Sequence, residues 1–110
     1  MVYEATTANY DEQLKAAEFV VVDYYGDHCG ACVYLAPFFQ EAANDMPFIR
    51  FVKINISQHW EIGQRYSIRG VPTLKFFRNG QEVHQAMGGM ERERLNGEIA
   101  RMLYKDYLEV

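Results

Sequence analysis

The sequence predicts an α/β fold: a central mixed β-sheet, parallel in its first part, with helices on both faces. Three observations carry this expectation. Apolar periodicity alternates between strand-like and helix-like spacing along the chain before closing on a hairpin and a last helix. The stretch Phe19-Val20-Val21-Val22-Asp23-Tyr24-Tyr25 is almost continuously apolar and rich in β-branched and aromatic side chains, as expected of a strand covered on both sides. Asn79-Gly80 stands between two strand-like runs, a pair suited to a two-residue hairpin turn.

In chain order, Met1 to Glu4 reads as a short first strand. Asn9-Tyr10-Asp11-Glu12 resembles a capping box, in which side chains satisfy the free amides of a helix start, and it opens a helix through about Ala17. Phe19 to Tyr25 is the central strand. From Cys32 to about Asp45, the positions Val33, Leu35, Ala36, Phe38, Phe39, Ala42, Ala43 and Met46 fit a helix with an apolar face. Pro37 lies inside it, lacks an N–H and predicts a kink. Phe48 to Ile56 follows as a strand, His59 to Tyr66 as a helix, and Gly70-Val71-Pro72 as a loop. Thr73 to Arg78 and Glu82 to Met87 form the hairpin, and the last helix runs from about Glu91 to Tyr104, with Leu95, Ile99, Met102 and Leu103 facing inward. No linker, repeat or low-complexity stretch divides the chain, so residues 1–110 are expected to form a single domain.

A net charge of −4 disfavours nucleic acid and anionic membranes as partners. The first residues lack the basic segment and apolar run of a secretory signal, and no segment is long and apolar enough to span a bilayer, so the expected location is the cytoplasm. A small secreted protein generally carries more cysteines than the two present here. One close pair in a reducing compartment points instead to redox chemistry or metal binding.

Those two cysteines stand in Cys29-Gly30-Ala31-Cys32, where the central strand hands over to a helix. Thiols at this spacing can close a small disulfide, and the unpaired amides of a helix start stabilise a thiolate on the first sulfur. A reversible redox switch follows. The competing reading, a zinc or iron–sulfur site on His28, Cys29 and Cys32, lacks ligands: structural zinc takes four, and His59 and His84 lie on other elements.

The run Val22-Asp23-Tyr24-Tyr25-Gly26-Asp27-His28-Cys29-Gly30-Ala31-Cys32, with Ala36-Pro37, Val52-Lys53-Ile54-Asn55, Tyr66-Ser67-Ile68-Arg69-Gly70-Val71-Pro72-Thr73 and Asn79-Gly80, resembles the thioredoxin family over nearly the whole chain. The resemblance implies the thioredoxin fold, a three-layer αβα arrangement around a central mixed sheet. It implies a thiol-disulfide oxidoreductase, a protein-disulfide reductase cycling between dithiol and disulfide and so contributing to electron transport and cell redox homeostasis. Cys29 would attack a substrate disulfide and Cys32 would resolve the mixed disulfide. Asp23 would accept the Cys32 proton, its pKa raised by burial and held back by its partner Lys53. Val71-Pro72 matches the family's cis-proline loop, which with Tyr25, Gly70 and Gly88 would receive an extended substrate segment. No bound cofactor is implied. Electrons would come from NADPH through a flavin-dependent thioredoxin reductase, the partners would be that reductase and disulfide-containing proteins, and the protein would be a monomer.

Departures from the family pattern concern the redox poise. Ala31 stands where the family usually has proline, which restores a backbone N–H near the helix start, and His28 stands where it usually has tryptophan. An added donor or a protonated imidazole would favour the Cys29 thiolate, opposed by Asp27, so Gly30, Ala31 and His28 are the expected tuning positions. A more oxidising, oxidase- or isomerase-like variant is one alternative function. A thioredoxin-like interaction module is another, which retention of both cysteines, Asp23, Lys53 and the proline loop argues against.

Overall fold

A computed structural model describes residues 1–105. Five strands, β1 (Val2–Glu4), β2 (Phe19–Tyr25), β3 (Arg50–Asn55), β4 (Thr73–Arg78) and β5 (Gln81–Met87), form one sheet in the order β1-β3-β2-β4-β5. The pairs β1–β3 and β3–β2 are parallel, while β2–β4 and β4–β5 are antiparallel. The mixed sheet with a parallel first part is therefore as the periodicity predicts, and β2 is its central strand. Asn79 and Gly80 both take positive φ, 53° and 82°, in the hairpin between β4 and β5.

Four helices cover the sheet: α1 (Tyr10–Leu14), α2 (Gly30–Asp45), α3 (Trp60–Arg65) and α4 (Arg92–Leu103). Alternation along β2 divides the core in two. Val21 packs with Leu35 and Phe39 of α2 and with Leu95, Ile99 and Met102 of α4. Val20, Val22 and Tyr24 point the other way, to Tyr10 and Leu14 of α1 and Ile62 of α3. By the same alternation Asp23 lies on the α2 side, and this places a carboxyl beneath the start of α2.

Three local expectations change. The Asn9 side chain caps nothing in α1; its Oδ1 accepts instead from the Thr6 N–H at 2.8 Å while its own N–H donates to Thr6 Oγ1, and the helix stops at Leu14. A hydroxyl three residues upstream forms a closed reciprocal pair with Asn9 and competes with the cap. Val33 and Ala36, assigned to the apolar face of α2, are exposed, Val33 to 73%. Cys32 and Leu35 of the same turns take the buried side, and Val33 and Ala36 lie on the side that lines an open groove. Phe48 is likewise outside β3 and 59% exposed, since pairing starts at Arg50.

Candidate active site

The site forms where β2 gives way to α2. Gly26 passes so close to the β3–α3 turn that a Cβ there would lie 3.0 Å from Ser57 Oγ. Two residues later His28 takes a left-handed conformation with φ 53°, which turns the chain into the helix. Cys29 is the N-cap of α2: its Sγ accepts from the Cys32 N–H at 3.1 Å, while its carbonyl accepts from the Val33 N–H at 3.1 Å. The amide aimed at the first sulfur thus belongs to Cys32. Leu35, the sixth residue of α2, is its buried apolar anchor, and Pro37 lies inside the helix.

Cys29 and Cys32 are joined in a disulfide. The two sulfur-bearing residues differ in access: Cys32 is 6% exposed and backs onto the core, whereas Cys29 is half-buried and Gly30 and Ala31 are exposed. Cys29 Sγ lies 3.7 Å from the carbonyl oxygen of Val71, and the Val71-Pro72 peptide is cis. Gly88, at φ 92°, donates its N–H to the Pro72 carbonyl at 2.9 Å, and Thr73 Oγ1 donates to the Gly70 carbonyl at 2.7 Å. A Cβ at Gly70 or at Gly88 would meet no atom within 4 Å, so both border open space. Gly89 is different, since a Cβ there would come within 3.1 Å of the Ala31 carbonyl.

Asp23 is 4% exposed, and its Oδ1 finds no hydrogen-bond partner among the described residues. Desolvation raises its pKa to about 7; Lys53, its register partner on β3, opposes the rise, and Glu4 adds to it. Lys53 Nζ lies 3.8 Å from Glu4 Oε1 and 5.2 Å above the Tyr25 ring. The Tyr25 hydroxyl donates to Glu4 Oε2 at 2.9 Å, and burial together with that carboxylate pushes the phenol pKa up. Asp23, Tyr25, Asp27, His28, Lys53 and both cysteines line one cavity of about 580 Å³ beside the disulfide, bordered by Val33 and Ala36. His28 is exposed at its rim.

The structure therefore brings Asp23, Lys53, Tyr25 and His28 into one cavity with the two cysteines, and sets the Val71 carbonyl of the cis-proline loop, to which Gly70 and Gly88 are hydrogen-bonded neighbours, against Cys29 Sγ. The chemistry available to this set is thiol-disulfide exchange with a titratable carboxyl behind the inner sulfur. Among the described residues, no group of three or more His, Cys, Asp or Glu is placed to hold a metal ion. Asn55 and Ser57, to which sequence reasoning gave no role, reach the same loop: Asn55 Nδ2 donates to Asp27 Oδ1 at 2.9 Å and Ser57 Oγ accepts from the Asp27 N–H at 3.0 Å. The available signal was a polar side chain next to the apolar Ile54 and Ile56 where the strand gives way to the following helix.

Comparison with known proteins agrees with this geometry. The family model described as Thioredoxin matches residues 1–101. A thioredoxin of Mycoplasmoides gallisepticum is 38% identical over 88 residues, covering 80% of this chain and 88% of that protein. A protein disulfide-isomerase of Drosophila melanogaster is 36% identical over 88 residues, 76% of this chain but 18% of its own length. Among solved structures, a Plasmodium falciparum thioredoxin superposes with a TM-score of 0.84 at 27% identity, over 90% of this chain and 97% of that one.

Proposed function

The chain belongs to the thioredoxin family and is a thiol-disulfide oxidoreductase, and from that premise we propose a protein-disulfide reductase of the cytoplasm in which Cys29 is the nucleophile and Cys32 the resolving thiol. The unequal exposure of the two cysteines supports this assignment: Cys29 is half-buried and open to a substrate, while Cys32 is 6% exposed and backs onto the core.

In the reduced protein the Cys29 thiolate is held by the α2 amide that now meets its sulfur. It attacks one sulfur of a substrate disulfide, forming a mixed disulfide and releasing the other substrate sulfur as thiolate. Cys32 then gives its proton to the Asp23 carboxylate and attacks Cys29 Sγ. That step forms the Cys29–Cys32 bond and expels the second substrate thiolate. Two electrons have passed to the substrate, and the protein is left in the oxidised form described above. The second attack is fast because the spacing makes it intramolecular.

The extended substrate segment docks against the cis Val71-Pro72 loop, with Gly70, Gly88 and Tyr25 at its margins; the open space over Gly70 and Gly88 supports that placement. Lys53 restrains the Asp23 pKa, while His28, Gly30 and Ala31 set the poise of the pair. A thioredoxin reductase returns the two electrons from NADPH through its flavin, the chain acts as a single-domain monomer, and its work is redox homeostasis. The acidic net charge supports protein partners rather than nucleic acid, and no described helix is long and apolar enough to cross a membrane.

Insulin reduction with dithiothreitol, followed by turbidity, tests the assignment. Cys29→Ser should abolish the acceleration, and Cys32→Ser should accumulate a mixed disulfide through Cys29. Retention of activity by Cys29→Ser would falsify it.

A further inference from the structure

Asn55, the last residue of β3, is 7% exposed, yet every polar atom of its side chain is engaged. Oδ1 accepts from the N–H groups of Ser57 at 2.8 Å and Gln58 at 3.2 Å, fixing the turn into α3, and Nδ2 donates to Asp27 Oδ1 at 2.9 Å. Ser57, positioned by that turn, accepts from the Asp27 N–H at 3.0 Å. Asp27 is thus gripped at both backbone and side chain by residues roughly thirty positions away in sequence, although it is itself exposed. It sits between Gly26, which packs against Ser57, and His28, which holds the left-handed turn immediately before Cys29.

We propose that Asn55 is a positioning residue for the reacting sulfurs: through Asp27 and Ser57 it holds the loop 26–28 in the conformation that seats Cys29 at the N-terminus of α2. A left-handed His has no side-chain constraint of its own to keep it there, and a polar clamp on the preceding residue supplies one. The clamp also fixes one charge. Asp27 and His28 flank Cys29 on its own loop, Asp23 faces the cavity from β2 and Lys53 from β3, while the adjoining turn of α2 contributes uncharged Val33 and Ala36. With the Asp27 carboxylate tied to Asn55 it is kept from swinging against the thiolate. The inference rests on Cys29 being the nucleophile.

Exchanging donor and acceptor across the clamp separates positioning from general packing. Asn55→Asp keeps acceptors for the Ser57 and Gln58 amides but sets two carboxylates against each other; adding Asp27→Asn restores a donor–acceptor pair in reverse and returns the net charge to the wild-type value. The readout is the pH profile of iodoacetamide alkylation of the reduced protein, with the label mapped by mass, beside insulin reduction and thermal unfolding. In Asn55→Asp the alkylation rate at neutral pH should fall about threefold to tenfold, equivalent to half to one unit in the thiol pKa, and the swap should recover most of it. Ser57→Ala, at an exposed site that leaves the fold intact, should shift the profile the same way and less. Unchanged profiles in both single variants, or a folded swap variant that recovers nothing, overturn the proposal. Wild-type label on Cys32 rather than Cys29 would instead overturn the underlying assignment of the nucleophile.

Discussion

Asp23 and Lys53 are direct neighbours in the β2–β3 register, yet Lys53 directs its ammonium to Glu4, 3.8 Å away, and Asp23 Oδ1 is left without a hydrogen-bond partner among the described residues. A lysine bonded to Asp23 would hold the carboxyl low. A lysine shared with Glu4 only moderates the cost of burial, and the carboxyl titrates at about 7, where it can both accept and return a proton.

Burial of Asp23 should make stability depend on pH with a defined sign. Its pKa rises from 3.8 to about 7 on folding, so its contribution is fully present below about pH 4 and is lost as pH rises through about 7. At about 1.4 kcal/mol per unit, the loss is on the order of 4 kcal/mol before water penetration reduces it. Asp23→Asn should therefore unfold at higher urea above neutral pH, by about 2–4 kcal/mol, and match the wild type in acid. The same substitution should slow release from the mixed disulfide by about tenfold or more, because Cys32 loses its proton acceptor. Urea titrations in acid and in base, with mass spectrometry of the quenched reaction, check both; equal stability at alkaline pH would remove the buried high-pKa carboxyl from the account.

The strands, the parallel and antiparallel halves of the sheet and the hairpin were legible because each is written in local periodicity: β2 as an unbroken apolar run, the β4–β5 turn as Asn79-Gly80. The departures come from competition between distant or alternative partners. Val33 has an apolar side chain inside a helical pattern, but the buried side of these turns is taken by Cys32 and Leu35, and Val33 lies on the side that lines the groove. Asn9 has a cap's identity, and Thr6 takes its side chain. Asn55 falls within the strand read over Phe48 to Ile56; its bond to Asp27 exists because parallel pairing sets the ends of β2 and β3 side by side, which no local pattern encodes.

His28 and Ala31 should move the potential. His28 is exposed beside Cys29 in a left-handed turn, and Ala31 lies exposed inside the motif. Equilibration with glutathione buffers should give a value less negative than the roughly −270 mV of thioredoxin. Ala31→Pro and His28→Trp should each lower it, by about 30 mV if the equilibrium shifts tenfold. A wild-type potential at or below that reference, or no response to either substitution, would dismiss these two positions as tuning sites.

Trp60 begins α3 with 59% of its surface exposed, and it lines no part of the cavity beside the disulfide. Its fluorescence should therefore barely respond when the cysteines are reduced. The emission should already have the red-shifted maximum of a wet indole. A several-fold change in intensity on reduction would place the indole against the sulfurs instead.

Gly89 should resist replacement because of its contact with the motif itself. A Cβ there would come within 3.1 Å of the Ala31 carbonyl, 3.2 Å of its Cβ and 3.4 Å of its Cα, all atoms of the motif's own turn, so relief requires one backbone to retreat from the other. The loop has little freedom to do so, because Gly88 immediately before it is hydrogen-bonded to Pro72 at φ 92°. Gly89→Ala should cost about 1–2 kcal/mol in stability and raise KM for insulin more than it lowers kcat, since the loop that recedes borders the proposed docking surface and not the sulfurs' proton path. Gly70→Ala enters open space at a φ that is not positive and should stay within about 0.5 kcal/mol of wild type. Equal unfolding midpoints for the two variants would mean that the contact between Gly89 and Ala31 does not brace the motif.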